Sequence, residues 1–231
     1  MGGRTPQKVQ DAVAAIQKEY PSTPSTFVPI QVDIESDESI EQAFTEVQSK
    51  YGKLDVLINN AGAQFDQHLA TGKLSAREMW NQTWNVNTTG TQIMTSTFVP
   101  LLLQSSEPRL LFITSGLSTL AGTENTAIGA NKVPPKGWPK SGFGVAAYRS
   151  SKTGLNMLMR EWHRMLKEDG VKVFAISPGF LATGLGGNTE LLKKLGAGDP
   201  SVAGPFIHSV IEGRRDGDVG KVINKDGVQP W

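Results

Sequence analysis

Cysteine is missing from all 231 residues, which excludes disulfides, thiolate metal sites and a cysteine nucleophile. Histidine is scarce: His68, His163 and His208 are scattered without ligand-like spacing, so each reads as an ordinary helix or loop residue and no metal site is expected. An excess of one charge is lacking as well. Lys+Arg total 23 against 22 Asp+Glu, and a net charge of +1 gives no electrostatic case for nucleic acid or an anionic membrane. No apolar run is long enough to span a bilayer, and Met1-Gly2-Gly3-Arg4-Thr5-Pro6 has none of the apolar stretch of a signal peptide. The expectation is a soluble cytoplasmic protein with neither nucleic-acid nor membrane partners. Hydrophobic residues form 38% of the chain, enough for one core, and a single domain over 1–231 is expected.

What is present alternates. Thr5-Pro6 reads as the cap and first residue of a helix with Val9, Ala12, Val13 and Ile16 on one face, closed by Tyr20-Pro21. Thr26 to Val32 reads as a strand, with Pro29 suggesting an edge, and Asp33 ends it. Ser36 or Ser39 caps a helix carrying Ile40, Phe44 and Val47. Lys53 to Ile58 is a strand expected to be buried on both faces, running into Asn59-Asn60-Ala61-Gly62. Ser75 caps a long helical region through Leu103, interrupted around Asn87-Thr88-Thr89-Gly90. Leu110 to Ile113 and Val171 to Ile176 are further strands, ending at Thr114-Ser115 and Ser177-Pro178-Gly179. Between them, 116–145 is a Gly-, Pro-, Ser- and Thr-rich surface excursion ahead of a helix. Asp199-Pro200 starts a helix through Glu212, and Gly220 to Asn224 is a last short strand. Strands alternating with helices imply an α/β fold, a three-layer α/β/α sandwich on a mostly parallel sheet. In such sheets ligands sit at the carboxyl ends of strands, where Asp33, Asn59, Ser115 and Pro178 all fall.

The helix after the excursion carries the chemistry. Leu155, Leu158, Met159, Trp162, Met165 and Leu166 recur at helical spacing, and extending that helix back puts Tyr148 and Lys152 one turn apart on one face. A free tyrosine has pKa ~10, and lowering it by about three units requires roughly 4 kcal/mol. A lysine charge ~4 Å away, at an effective dielectric of about 20, supplies roughly that much. Alone, the pair equally describes a surface tyrosine beside a solvated lysine, and the neighbouring segments decide between the two.

Taken together, Asn59-Asn60-Ala61-Gly62, Asn87, Ser115, Tyr148-Arg149-Ser150-Ser151-Lys152 and Pro178-Gly179 with Thr183 occur in the order of the short-chain dehydrogenase/reductase family, which the chain resembles from about residue 3 onward. The resemblance implies a Rossmann-like fold and an oxidoreductase that interconverts a carbonyl and an alcohol with NADP(H), or NAD(H). It implies that Tyr148 exchanges the proton, Ser115 holds the substrate oxygen, Lys152 lowers the tyrosine pKa and holds the nicotinamide ribose, and Asn87 relays protons through its main chain. Asn60, Ala61 and Gly62 would approach the cofactor, Pro178, Gly179 and Thr183 the nicotinamide, Asp33 the adenine, and Arg4 a 2′-phosphate. Gly137-Trp138-Pro139 and the long Ser115-to-Tyr148 spacing resemble the carbonyl-reductase branch, with a monomer or a homodimer as the expected state. Trp138, Phe143, Phe180 and Leu181 are candidates for an apolar substrate pocket or for core.

One element of the family pattern is missing. The family begins with a strand and a Gly-rich turn that sets the pyrophosphate on a helix N-terminus, and Met1-Gly2-Gly3-Arg4 matches only the end of the second strand. Without the first strand, that around Leu54–Ile58 is left with an apolar edge. Thr26–Val32 moves across to it, another chain covers it, or the sequence is incomplete, the last being favoured because the catalytic set is intact. The alternative function is that of a truncated, cofactor-free remnant, acting as an isomerase or cyclase or as a non-catalytic binding protein.

Overall fold

The computed structural model describes residues 1–140 and 144–231, so Phe143 lies outside the described residues. The chain is an α/β sandwich whose sheet is split in two. Strands β1 (Gly2–Gly3) and β2 (Ile30–Gln31) pair in parallel, with Gly2 opposite Ile30. The larger sheet takes β3 (Val56–Asn59), β4 (Arg109–Ile113), β5 (Lys172–Ile176), β6 (Val222–Asn224) and β7 (Gly227–Val228) in that order. All are parallel except the β6–β7 pair.

Caps explain the helix starts. Helix α1 (Pro6–Glu19) opens on proline, and α2 (Asp37–Tyr51) on Ser36, whose hydroxyl accepts the Ser39 amide. After the short α3 (Asp66–Ala70), α4 (Ala76–Trp84) begins with a full capping box between Ser75 and Glu78. The interruption expected near Asn87 is a π-turn, Asn85–Thr89, after which α5 (Gly90–Leu102) continues the helix. Residues 116–140 carry three short 3₁₀ turns. Helix α6 (Ala146–Met165) follows, then α7 (Thr189–Lys194) and α8 (Ala203–Ile211).

Alternation along the buried strands divides the core. Leu57, Leu110, Phe112, Val173 and Ala175 face α2, α5 and α6, against Ile40, Val47, Phe98, Leu155 and Met159. Leu111, Phe174, Ile176 and Ile223 face α8 through Val210, with Phe206 and Ile207 beside it. At the foot of the sheet the Arg109 guanidinium, 4% exposed, forks onto Asp216 at 2.6 and 3.1 Å and also donates to the Val210 carbonyl.

Two expectations need correction. The strand expected over 26–32 shrinks to Ile30–Gln31, because Pro29 donates nothing and only the Met1–Gly3 stretch is there to pair with it. It also stays with β1 and does not cross to β3. The strand expected to be buried on both faces is covered on one: Leu57 is buried, whereas Ile58 is 38% exposed. Among the described residues no helix is long and apolar enough to cross a membrane, and no three His, Asp or Glu side chains stand together as a metal site would require.

Candidate active site

The carboxyl ends of β3, β4 and β5 meet the first turns of α6, and four of the expected residues converge there. Tyr148 and Lys152 lie on the inward face of α6, 7% and 3% exposed. Both reach the end of β4: the tyrosine hydroxyl lies near Ser115, and Lys152 Nζ donates to the Ile113 carbonyl at 2.8 Å. Asn87 is fully buried in the π-turn. Its carboxamide mimics a peptide, accepting from Ala63 N and donating to Ala63 O, each at 2.8 Å, and donating to Ser151 Oγ at 2.9 Å. Ser151 in turn donates to the Tyr148 carbonyl at 2.8 Å. The π-turn slips the helical ladder by one residue, so that Gly90 N bonds to Asn85 O.

The electrostatics differ from what the spacing alone implies. Burial pushes the Tyr148 phenol above its ordinary value, and the nearby Ser115 hydroxyl only partly opposes this. Burial also pulls the Lys152 ammonium down to about 8. The lysine-driven lowering of the tyrosine expected from the pair is absent here, because the ammonium is directed at the Ile113 carbonyl and not at the phenol. A protonated phenol beside a serine is an acid and an oxygen clamp in one place.

The segment after β3 closes over this cluster. Asn59 is buried and serves the fold, donating to Thr95 Oγ1 of α5 at 3.0 Å, while Asn60, Ala61 and Gly62 are exposed at the mouth. A Cβ on Gly62 would stand 3.2 Å from both Asn87 Oδ1 and Lys152 Nζ, so any larger residue would crowd these two side chains. After β5, Pro178 is half-buried, Gly179 takes φ 109°, and Thr183 caps a 3₁₀ turn through the Leu185 amide. Leu181 bridges to Gly198. Phe180 is 55% and Trp138 87% exposed, so neither is packed over the cluster.

The chemistry of the donor set fits the nicotinamide half of a dinucleotide: the exposed Gly62 backbone lies against the Lys152 ammonium, with the Tyr148 hydroxyl one helical turn away and the Pro178–Thr183 loop after the next strand. The adenosine end offers less. Arg4, with a side chain 70% exposed, reaches Glu35 at 3.4 Å, Asp33 accepts the Glu35 amide, and α1 opens on a proline with no N–H to give an anion.

Sequence reasoning missed the scaffolding. Buried Thr114, Ser118, Asn156 and Gln229 form a polar network behind Ser115, in which Gln229 Nε2 donates to the Ser115 carbonyl at 3.2 Å. It also missed Asp66, whose carboxylate accepts the amides of Ala147 and Tyr148. Valine at position 145 was the available signal: a buried helix opening on a residue that cannot cap must be capped from elsewhere.

Comparison with known proteins converges on one group. The short chain dehydrogenase family model matches residues 2–141 and 137–191. The chain is 49% identical over 233 residues to the short-chain dehydrogenase/reductase eupG of Phoma sp, covering 97% of this chain and 84% of that protein. It is 50% identical over 234 residues to the short-chain dehydrogenase/reductase tropE of Talaromyces stipitatus, covering 100% and 86%. Among solved structures, an NADPH-bound carbonyl reductase from chicken fatty liver superposes with a TM-score of 0.74 at 21% identity, over 100% of this chain and 86% of that one, a likeness of fold.

Proposed function

Because the chain belongs to the short-chain dehydrogenase/reductase family, we propose that it interconverts a carbonyl and an alcohol on a small molecule, with Tyr148 as general acid in the reductive direction. The observation that carries this reading is the convergence of buried Tyr148, Lys152 and Asn87 with half-buried Ser115 at the carboxyl ends of three strands. A bound nicotinamide cofactor would supply the hydride, NADP(H) being favoured by Arg4 at the adenosine end, with NAD(H) the alternative.

Each side chain then has one task. Ser115 holds the substrate oxygen beside the phenol, near which its side chain stands. Tyr148, kept protonated by burial, gives its proton to that oxygen as charge develops. Lys152, its ammonium anchored on the Ile113 carbonyl, holds the ribose hydroxyls. The Asn87 main chain, in the π-turn, would hold a water of the relay that returns a proton to Tyr148. Asn60, Ala61, Gly62, Pro178, Gly179 and Thr183 shape the ring site, and Phe180, Leu181 and Trp138 give the substrate entrance apolar surface. The carbonyl-reductase branch rests on the 116–145 excursion and on the fold likeness.

Titration of the chain with NADPH, followed by nicotinamide fluorescence, is expected to show saturable binding. A folded chain that binds none would favour the cofactor-free reading, an isomerase, cyclase or binding protein. Replacing Tyr148→Phe should cut turnover by at least about 100-fold, the scale of a lost general acid, with thermal unfolding little changed. Turnover unaffected by that change would remove Tyr148 from this role.

A further inference from the structure

Helix α6 is capped from outside its own segment. An N-cap residue ordinarily offers a side-chain oxygen to the second and third amides of its helix, which have no partner within it. Val145 occupies that position and has no such oxygen. The second and third residues are Ala147 and Tyr148, both buried, so their amides have little recourse to water. Asp66 takes both: Oδ1 accepts from Ala147 N at 2.9 Å and Oδ2 from Tyr148 N at 3.1 Å. The carboxylate is itself in a residue only 8% exposed, at the first position of α3.

The stretch that carries Asp66 is fixed at its other end. Asn87 grips both polar backbone atoms of Ala63, and Gly62 lies against Asn87 and Lys152. Four peptide bonds, from Gly62 to Asp66, therefore run from the mouth of the ring site to the amide of Tyr148. Resting on the reading of Tyr148 as proton donor, we propose that Asp66 is a positioning residue: by holding the Ala147 and Tyr148 amides it fixes the phenol relative to the loop against which the nicotinamide would lie. It touches neither substrate nor cofactor. Its effect follows from helix geometry, since Tyr148 is the third residue of α6 and its side chain keeps its direction toward Ser115 only while the first turn stays helical. The carboxylate also complements the positive end of a 20-residue helix, which a neutral group does less well.

The test has two arms. In the ligand-free chain, Asp66→Ala should accelerate amide hydrogen exchange at Ala147 and Tyr148 by about tenfold or more relative to Leu155–Met159 of the same helix, the scale of one lost hydrogen bond. Asp66→Asn keeps one oxygen acceptor and should fall between, and it serves as the test should the alanine variant fail to fold. In the second arm, with NADPH and phenanthrenequinone as the carbonyl probe, Asp66→Ala should lower kcat by about 10- to 100-fold, as misplacement of a reacting group does. KM for NADPH should stay within about threefold, and the asparagine variant should recover part of kcat. Exchange that rises evenly along α6, or not at all at the two amides, overturns the proposal. So does an asparagine variant no better than alanine, or a loss confined to KM. A wild-type chain that reduces no carbonyl probe removes the reading of Tyr148 beneath the proposal, while the exchange arm still reports on the cap.

Discussion

Burial acts on Tyr148 and Lys152 of α6 to the same end, since each is driven toward its neutral form: the Tyr148 phenol upward and the Lys152 ammonium down to about 8. For the lysine this makes a stability statement. Its pKa is depressed on folding from 10.5, so between those values the unfolded chain binds more protons than the folded one. Stability should therefore rise as pH goes from about 8 toward 10.5, and the charged lysine should cost on the order of 3 kcal/mol below that window. Replacing Lys152→Met should flatten this rise in urea unfolding measured across that range. A variant with the same slope as the parent would show that the ammonium is better solvated than its 3% exposure implies. At this scale the spacing of Tyr148 and Lys152 was legible in the sequence and the sign of the phenol's shift was not. Spacing fixes which side chains share a face, whereas the shift depends first on burial by the packed fold and then on Ser115, more than thirty residues away.

Among the elements, α6 shows how a packing demand can override helix propensity. Gly154 lies in its interior, where alanine would ordinarily gain about 1 kcal/mol. Here a Cβ would stand 2.7 Å from Trp84 Cη2 and 2.8 Å from Cζ3, the rigid ring of the neighbouring α4. Overpacking costs about 1–3 kcal/mol, so Gly154→Ala should lower stability, and a second change, Trp84→Leu, should relieve the strain in a double-mutant cycle. A stabilising Gly154→Ala would mean that the ring moves aside freely. The elements that announced themselves in the sequence had local punctuation: Thr5-Pro6, Ser36 and the Ser75–Glu78 box mark helix starts, and Leu110–Ile113 is a run of large apolar residues. Helices α3 and α7 are five and six residues long, too short for a periodic pattern, and strand β7 exists only because Gly227 lets the chain fold back on β6. The π-turn reads as a break in sequence, because Asn-Thr-Thr-Gly carries poor helix formers whether the helix ends or merely widens.

For the molecule as a whole, the split sheet is the main departure from an unbroken parallel arrangement. Strand β3 bonds to β4 on one side and to no described strand on the other, leaving Ile58 38% exposed beside unpaired backbone. Such an edge invites pairing between molecules. An Ile58→Lys change should slow concentration-dependent aggregation, followed by light scattering, while shifting unfolding by no more than about 0.5 kcal/mol as surface substitutions do. Unchanged aggregation would place the sticky surface elsewhere. The sequence forecast the bare edge from the missing first strand, but which strand would stay with which partner depended on pairing that no local pattern encodes. One further consequence concerns residues 1–33. Strands β1 and β2 bond only to each other and α1 buries Val9 and Val13 outside the main core, whereas Val32, with Ile30 beside it, belongs to that core; beyond them the Ile34 carbonyl lies where a Gly90 Cβ would sit and Glu35 is bonded to Asn85. This flap, joined to the body along Ile30 and Val32, has fewer ties than the larger sheet and can open ahead of it. Any ligand that engages both Arg4 and Tyr148 must hold the flap shut, and its affinity would then measure that closure as much as the contacts themselves.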